Sequence, residues 1–198
     1  KIGKFERYSD IDGDGVTYRT YPGNAHPLAA YFTRGSGHNE LAQYTEDGLA
    51  YQRIIDRLLV KFETARLAMP EPEIDLVAGA KVGIIAYGST HQAIEETRDI
   101  LAADGMKTSY FKIRSYPFAL DPLRDFLRRH DKVFLVEQNR DGQMAQLIKL
   151  ELGAEALKIR SILHYSGFPI PTEALVNGIL DKNGSVKENA PAIADGGE

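Results

Sequence analysis

The sequence predicts an α/β protein with a largely parallel, mixed β-sheet covered by helices on both faces. Three observations carry this. From residue 73 to 180 short apolar runs alternate with amphipathic segments in a strand, helix, strand order, the pattern that winds a parallel sheet. A short apolar segment lies so close before the first long strand that one antiparallel strand is expected. The chain is 198 residues long, 43% hydrophobic and 26% charged, which suits a folded protein with a substantial core.

Residues 1–44 show little periodicity, because glycines, Pro22, Pro27 and the run Asp10-Ile11-Asp12-Gly13-Asp14-Gly15 interrupt it. This is read as an extended arm. It holds Phe5, Phe32 and five of the ten tyrosines (Tyr8, Tyr18, Tyr21, Tyr31, Tyr44), an aromatic load that packs on its own domain or on a partner chain. Thr45 or Asp47 then caps a helix. In it Tyr51, Ile54, Ile55, Leu58, Leu59 and Phe62 form one apolar stripe, and Asp56, Arg57, Lys61 and Glu63 are expected to be solvated or ion-paired. Pro70 and Pro72 end that helix near Ala68.

Ile74 and Leu76 suggest a short strand that turns at Ala78-Gly79 into a strand over residues 82–86, as a hairpin. A helix over 91–103 carries Ile94, Thr97 and Leu101 and ends at Gly105, before a strand over 107–113. Pro117 and Asp121-Pro122 open a helix with Leu123, Phe126 and Leu127, followed by a strand over 132–136. Met144, Leu147 and Ile148 mark a fourth helix, 158–163 a fifth strand, and a last helix starts at Pro171 with Leu175, Val176, Ile179 and Leu180. Three regions result: arm and long helix over 1–69, an α/β domain over 70–182, and a frayed tail over 183–198.

Lysine and arginine total 24 against 28 acidic residues, a net charge of −4, the wrong sign for binding nucleic acid or acidic membrane by bulk charge. The absence of cysteine excludes disulfides, thiol nucleophiles, zinc–thiolate sites and a cysteine-ligated iron–sulfur cluster in this chain. Apolar runs fall far short of the roughly 20 residues that span a bilayer, so a cytoplasmic protein is expected, without membrane or nucleic-acid partners. The start at Lys1 suggests a piece of a longer polypeptide.

Four stretches carry candidate chemistry. Residues 10–15 imitate half of a calcium loop, but the twelfth position is Tyr21 and not a bidentate glutamate, so a turn with solvated aspartates is expected. Gly13-Asp14-Gly15 with Asn39 also imitates the diphosphate–magnesium motif of thiamine enzymes, yet no buried strand precedes it. Gly88-Ser89-Thr90 stands between a strand and a helix, where amides and hydroxyls either cradle an anion or merely cap the helix. Glu137-Gln138-Asn139-Arg140-Asp141-Gly142-Gln143 lies at the carboxyl end of a strand, where open α/β sheets form binding crevices, and reads equally as a polar cap with internal ion pairs. Arg34, His38 and Asn39 lie in a glycine-flanked stretch that suits an anionic group but has no element to hold it rigid. His26, His38, His91, His130 and His164 show no metal-ligand spacing, so no metal site is expected.

The segments 30–40, 44–47, 56–58, 61–65, 87–90 and 136–144 together resemble the C-terminal part of the alpha subunit of 2-oxoacid:ferredoxin oxidoreductases, most closely the 2-oxoglutarate type. The resemblance runs from about Asp10 to Leu180. It implies a fold like the C-terminal domain of transketolase, a three-layer α/β/α sandwich with a five-stranded mixed sheet. It also implies oxidative decarboxylation of a 2-oxoacid to acyl-coenzyme A on thiamine diphosphate with magnesium, electrons leaving through iron–sulfur clusters to ferredoxin. Those cofactors would lie outside this chain, which would serve subunit assembly with a beta subunit in an oligomer and would be inactive alone. No catalytic residue follows from the resemblance; Arg34, His38, Asn39, Glu137, Asn139 and Arg140 are the candidate partner or cleft contacts, and Gly88, Ser89 and Thr90 the candidate anion cradle. A second reading is a free-standing Rossmann-like module for a nucleotide or coenzyme A. Against it, no Gly-x-Gly-x-x-Gly follows the first long strand, and Lys112 and Arg114 stand where an acidic residue should end the next.

Overall fold

A computed structural model describes residues 5–30, 35 and 37–181. The chain divides into two units, residues 1–69 and 70–198. The tail predicted over 183–198, Tyr31, Phe32 and Arg34 lie outside the described residues.

In the first unit, helix α1 spans Gly48–Ala68. Asp47 is its cap: the carboxylate accepts the Leu49 amide at 2.9 Å. The arm is held by turns and not by regular elements. Asp10 accepts the amides of Gly13 and Gly15, Asp14 accepts that of Val16, and Asp12 accepts the Tyr18 hydroxyl. The aspartates are thus hydrogen-bonded inside the turn, where solvation alone was expected. The turn sits on α1: Arg57 donates to the Gly15 carbonyl at 2.6 Å, and the Thr64 hydroxyl donates to the Asp14 carbonyl.

Two expectations for α1 change as a result. Arg57 is spent on the arm, and Lys61 offers its backbone to Gly15, so this side is not simply solvated. The buried face runs through Ala50 and Ile54, while Tyr51, Ile55, Leu58, Leu59 and Phe62 stay exposed. The apolar stripe is helical in period, but of its members only Ile54 is buried.

The second unit is a three-layer α/β/α sandwich. Its strands are β1 (Glu73–Asp75), β2 (Val82–Tyr87), β3 (Thr108–Ile113), β4 (Lys132–Glu137) and β5 (Ile159–Leu163). The helices are α2 (His91–Ala103), α3 (Leu120–Arg129), α4 (Gln143–Leu152) and α5 (Thr172–Leu180). Sheet order is β1-β3-β2-β4-β5, all parallel except β1. Odd-numbered positions of β2, β3 and β4 (Ile85, Phe111, Val133, Leu135) pack with α3 and α4. Even-numbered ones (Ile84, Tyr110, Phe134, Val136) pack with α2 and α5. Both sheet faces are therefore buried, which is why these strands read as continuous apolar runs.

The antiparallel strand is present, but the hairpin is not. β1 pairs with β3, Glu73 opposite Lys112 and Asp75 opposite Tyr110. Both edges of β2 are hydrogen-bonded to the parallel neighbours β3 and β4, so none is left for β1. Gly79 at φ +79° turns the connection, and Ser109 accepts the Val77 amide at 3.1 Å, holding it beside β3. Among the described residues no helix is long and apolar enough to cross a membrane.

Candidate functional site

The chain winds outward in both directions from the centre of the sheet. From β2 it passes through α2 to β3 on one side; from β4 it passes through α4 to β5 on the other. α2 and α4 lie on opposite faces, so the connections leaving adjacent strands β2 and β4 diverge. That divergence is a topological switch point, where doubly wound sheets open a crevice. Gly88-Ser89-Thr90 and Glu137 to Gly142 occupy its two lips.

Residues 88–90 form a single 3-10 turn with Gly88 at φ +60°, leading directly into α2. Thr90 is buried and Ser89 exposed. Neither hydroxyl caps α2. Instead the Gln138 carboxamide crosses from the opposite lip, donating to Thr90 Oγ1 at 3.0 Å and, at a long 3.5 Å, to Ser89 Oγ. Gln138 lies in the polar run 137–143 that the sequence marks, but it is not among the candidate contacts; its place one residue past a strand end, within that run, is its signal in the sequence.

Glu137 is the fully buried acid of the site. As the last residue of β4 its side chain points to the α3–α4 layer, under the first turn of α4. Oε2 accepts the Met144 amide at 2.7 Å and the Asn139 side-chain amide at 3.0 Å; Oε1 accepts the Ala145 amide at 3.1 Å. The Tyr87 hydroxyl lies 3.5 Å from Oε2. Burial and the neighbouring Glu137 charge push that hydroxyl's pKa up, so it stays a proton donor. Burying a carboxylate is costly without such partners, and a helix N-terminus is a favourable place for it.

Asn139 completes the lip. Its Oδ1 accepts the amides of Asp141 at 3.1 Å and Gln143 at 3.3 Å, and its Nδ2 also donates to Tyr87 at 3.4 Å. Gly142 at φ +63° then turns the chain into α4. Arg140 points outward, its exposed guanidinium 2.7 Å from the likewise exposed Asp141. This pairing raises the Arg140 pKa and lowers that of Asp141.

His38 and Asn39 belong to the first unit. Asn39 Oδ1 accepts the amides of Leu41 and Gln43, both at 3.0 Å, closing a turn bridged at His38 and Tyr44. The His38 ring packs on Tyr8, with centroids 4.1 Å apart. Both are thus engaged in local structure, and Arg34 falls outside the described residues. Among the described residues no group of three or more His, Asp or Glu side chains is arranged to hold a metal.

Residues 80–175, which contain both lips, match the family described as pyruvate:ferredoxin oxidoreductase core domain II. The chain is 29% identical over 149 residues to the alpha subunit of 2-oxoacid:ferredoxin oxidoreductase 2 of Aeropyrum pernix, a match covering 73% of this chain and 22% of that protein. It is 28% identical over 174 residues to a 2-oxoacid:ferredoxin oxidoreductase alpha subunit of Saccharolobus solfataricus, covering 86% of this chain and 27% of that one. The chain spans about a quarter of the length of these curated relatives. Its fold matches that of a 2-oxoglutarate:ferredoxin oxidoreductase from Magnetococcus marinus, solved with 2-oxoglutarate, coenzyme A and succinyl-CoA bound (TM-score 0.74, 24% identity, 89% of this chain and 30% of that one). The chain is thus similar to the alpha subunits of 2-oxoacid:ferredoxin oxidoreductases, and its residues 80–175 match the family described as pyruvate:ferredoxin oxidoreductase core domain II.

Proposed function

We propose that this chain is the C-terminal part of the alpha subunit of a 2-oxoacid:ferredoxin oxidoreductase of the 2-oxoglutarate type. In this reading the enzyme works in the cytoplasm, couples oxidative decarboxylation to acyl-coenzyme A formation, and passes electrons to ferredoxin. The match of residues 80–175 to core domain II carries the proposal, and the two alpha-subunit relatives, which extend the likeness over most of the chain, support it.

The residues present do not fit thiamine diphosphate or its magnesium. Gly13-Asp14-Gly15, the stretch that imitates the diphosphate motif, is folded into a turn whose Gly15 is pressed against the α1 backbone. Thiamine diphosphate, magnesium and iron–sulfur clusters would be held elsewhere in the enzyme, and no catalytic step is assigned to this chain. Its role is structural: a rigid domain for contact with the beta subunit, with Arg140 as the outward-facing cation of the switch-point lip.

The test is co-expression of a tagged alpha polypeptide containing this segment with its beta subunit. The complex should reduce a viologen dye when given coenzyme A and 2-oxoglutarate, and the 198-residue chain alone should not. Dye reduction by the chain alone, or a complex silent with every 2-oxoacid, would overturn the reading. Arg34→Ala and Arg140→Ala test the contact role; if both leave assembly and dye reduction unchanged, that role falls.

A further inference from the structure

At the switch point, the donors that would greet an anionic ligand at α4 are already taken. The Met144 and Ala145 amides point to the Glu137 carboxylate, and the Gln143 amide points to Asn139 Oδ1. On the opposite lip, the Gln138 carboxamide lies across the hydroxyls of Ser89 and Thr90. Tyr87, from β2, meets both Glu137 and Asn139, so the two lips are also joined beneath the mouth.

We propose that the switch-point crevice carries an internal ligand: the Glu137 carboxylate occupies the anion position at the α4 N-terminus, and Gln138 closes the mouth against Thr90. The crevice is a fixed joint between the two halves of the sheet, and Glu137 is the positioning residue that holds it. Two physical arguments support this. A fully buried carboxylate needs compensating donors, and helix-end amides with an oriented carboxamide supply them. A phosphate entering beside it would meet a like charge and would first have to displace Gln138. The cradle reading of Gly88-Ser89-Thr90 therefore gives way to a clamp, and a nucleotide or coenzyme A has no entry here.

The test uses the full 198-residue chain, followed by amide NMR and thermal melting. Inorganic phosphate and coenzyme A at millimolar concentration should leave the amide signals of Gly88 to Thr90 and of Met144 and Ala145 unmoved. Glu137→Ala should lower Tm by roughly 5–10 °C, and formate, a carboxylate small enough for the vacated space, should restore part of the loss. Glu137→Gln fills that space, so formate should not rescue it. Movement of those amides by phosphate or coenzyme A in the native chain overturns the proposal, as does Glu137→Ala with an unchanged Tm or with no formate rescue. Should Glu137→Ala not fold, Gln138→Ala decides: with the mouth open but Glu137 in place it should still ignore phosphate, and phosphate binding by it would refute the internal-ligand reading.

Discussion

The side-chain amide of Gln138 donates to the hydroxyl of Thr90 at 3.0 Å, joining the loops that leave β4 and β2 from positions 48 residues apart. Thr90 is buried, so the bond satisfies an oxygen with little access to water. Gln138→Ala should destabilise the chain by about 1 kcal/mol, a typical value for a lost hydrogen bond of this kind. Urea unfolding measures this as a lower midpoint with an unchanged slope. Gln138→Glu should cost more, because it brings a second carboxylate toward the buried Glu137. An unchanged midpoint in both variants would show that the bond contributes nothing.

Gly15 tests the docking of the arm on α1. It has φ +75°, and a Cβ there would collide with the Lys61 backbone and lie 2.9 Å from the Arg57 carbonyl oxygen. Gly15→Ala should therefore free the arm, at a cost of about 2–4 kcal/mol from strain plus overpacking. Limited proteolysis within residues 5–30 reads this directly. Gly13→Ala is the control: the same φ of +75°, but open space around the added carbon. It should cost only about 1 kcal/mol and leave the arm resistant to protease.

Much of the second unit was legible in the sequence, because strands buried on both faces and helices buried on one carry their period openly. The helix over 91–103, for example, has the bounds that Gly105 and the Ile94, Thr97, Leu101 spacing indicate. What local reading could not reach was pairing. β1 is near β2 in sequence, but β2 has two parallel neighbours, and that fact resides in residues 108–135 rather than in the Ala78-Gly79 turn. The candidate site shows the same division. Strand ends marked Glu137 and Thr90 as positions of interest, but whether Glu137 faces solvent or the first turn of α4 depends on strand parity and helix placement together. On α1, period alone located the apolar stripe but not which side the arm would cover.

The edge strand β1 gives an acid-limb prediction. Glu73 stands opposite Lys112 and accepts from its ammonium at 3.0 Å, with Arg114 at 3.4 Å. The Lys112 hydrogen bond, first, and the two cationic charges lower the Glu73 pKa below its ordinary value near 4.5. The unfolded chain thus binds this proton at higher pH than the folded chain does. The stabilisation is fully present above about pH 4.5 and is lost as pH falls through the depressed folded value. Glu73→Gln should flatten stability in that window and leave the pH dependence above it unchanged. The residue is exposed, so the effect should shrink in high salt. Urea midpoints measured across the acid limb for both proteins, at low and high salt, check all three statements.

Tyr110 gives the opposite sign at the other end of the pH scale. Its ring lies on β3, stacked on His91 with centroids 5.6 Å apart, and only 5% of the residue is exposed. Its hydroxyl is buried without a hydrogen-bond partner among the described residues, and burial, aided by Glu73 and Glu95, pushes its pKa well up. Tyr110→Phe removes an unsatisfied polar atom while keeping the ring, so it should stabilise the chain by about 1 kcal/mol at neutral pH. Because the folded pKa is raised, the unfolded tyrosine ionises first as pH climbs. Its contribution is complete below its ordinary value of 10.0 and declines as pH rises from there toward the folded value. The phenylalanine variant should therefore gain further on the native chain above pH 10. Denaturant midpoints at neutral and alkaline pH decide it: a variant less stable at neutral pH would mean that the hydroxyl is bonded after all, to an ordered water.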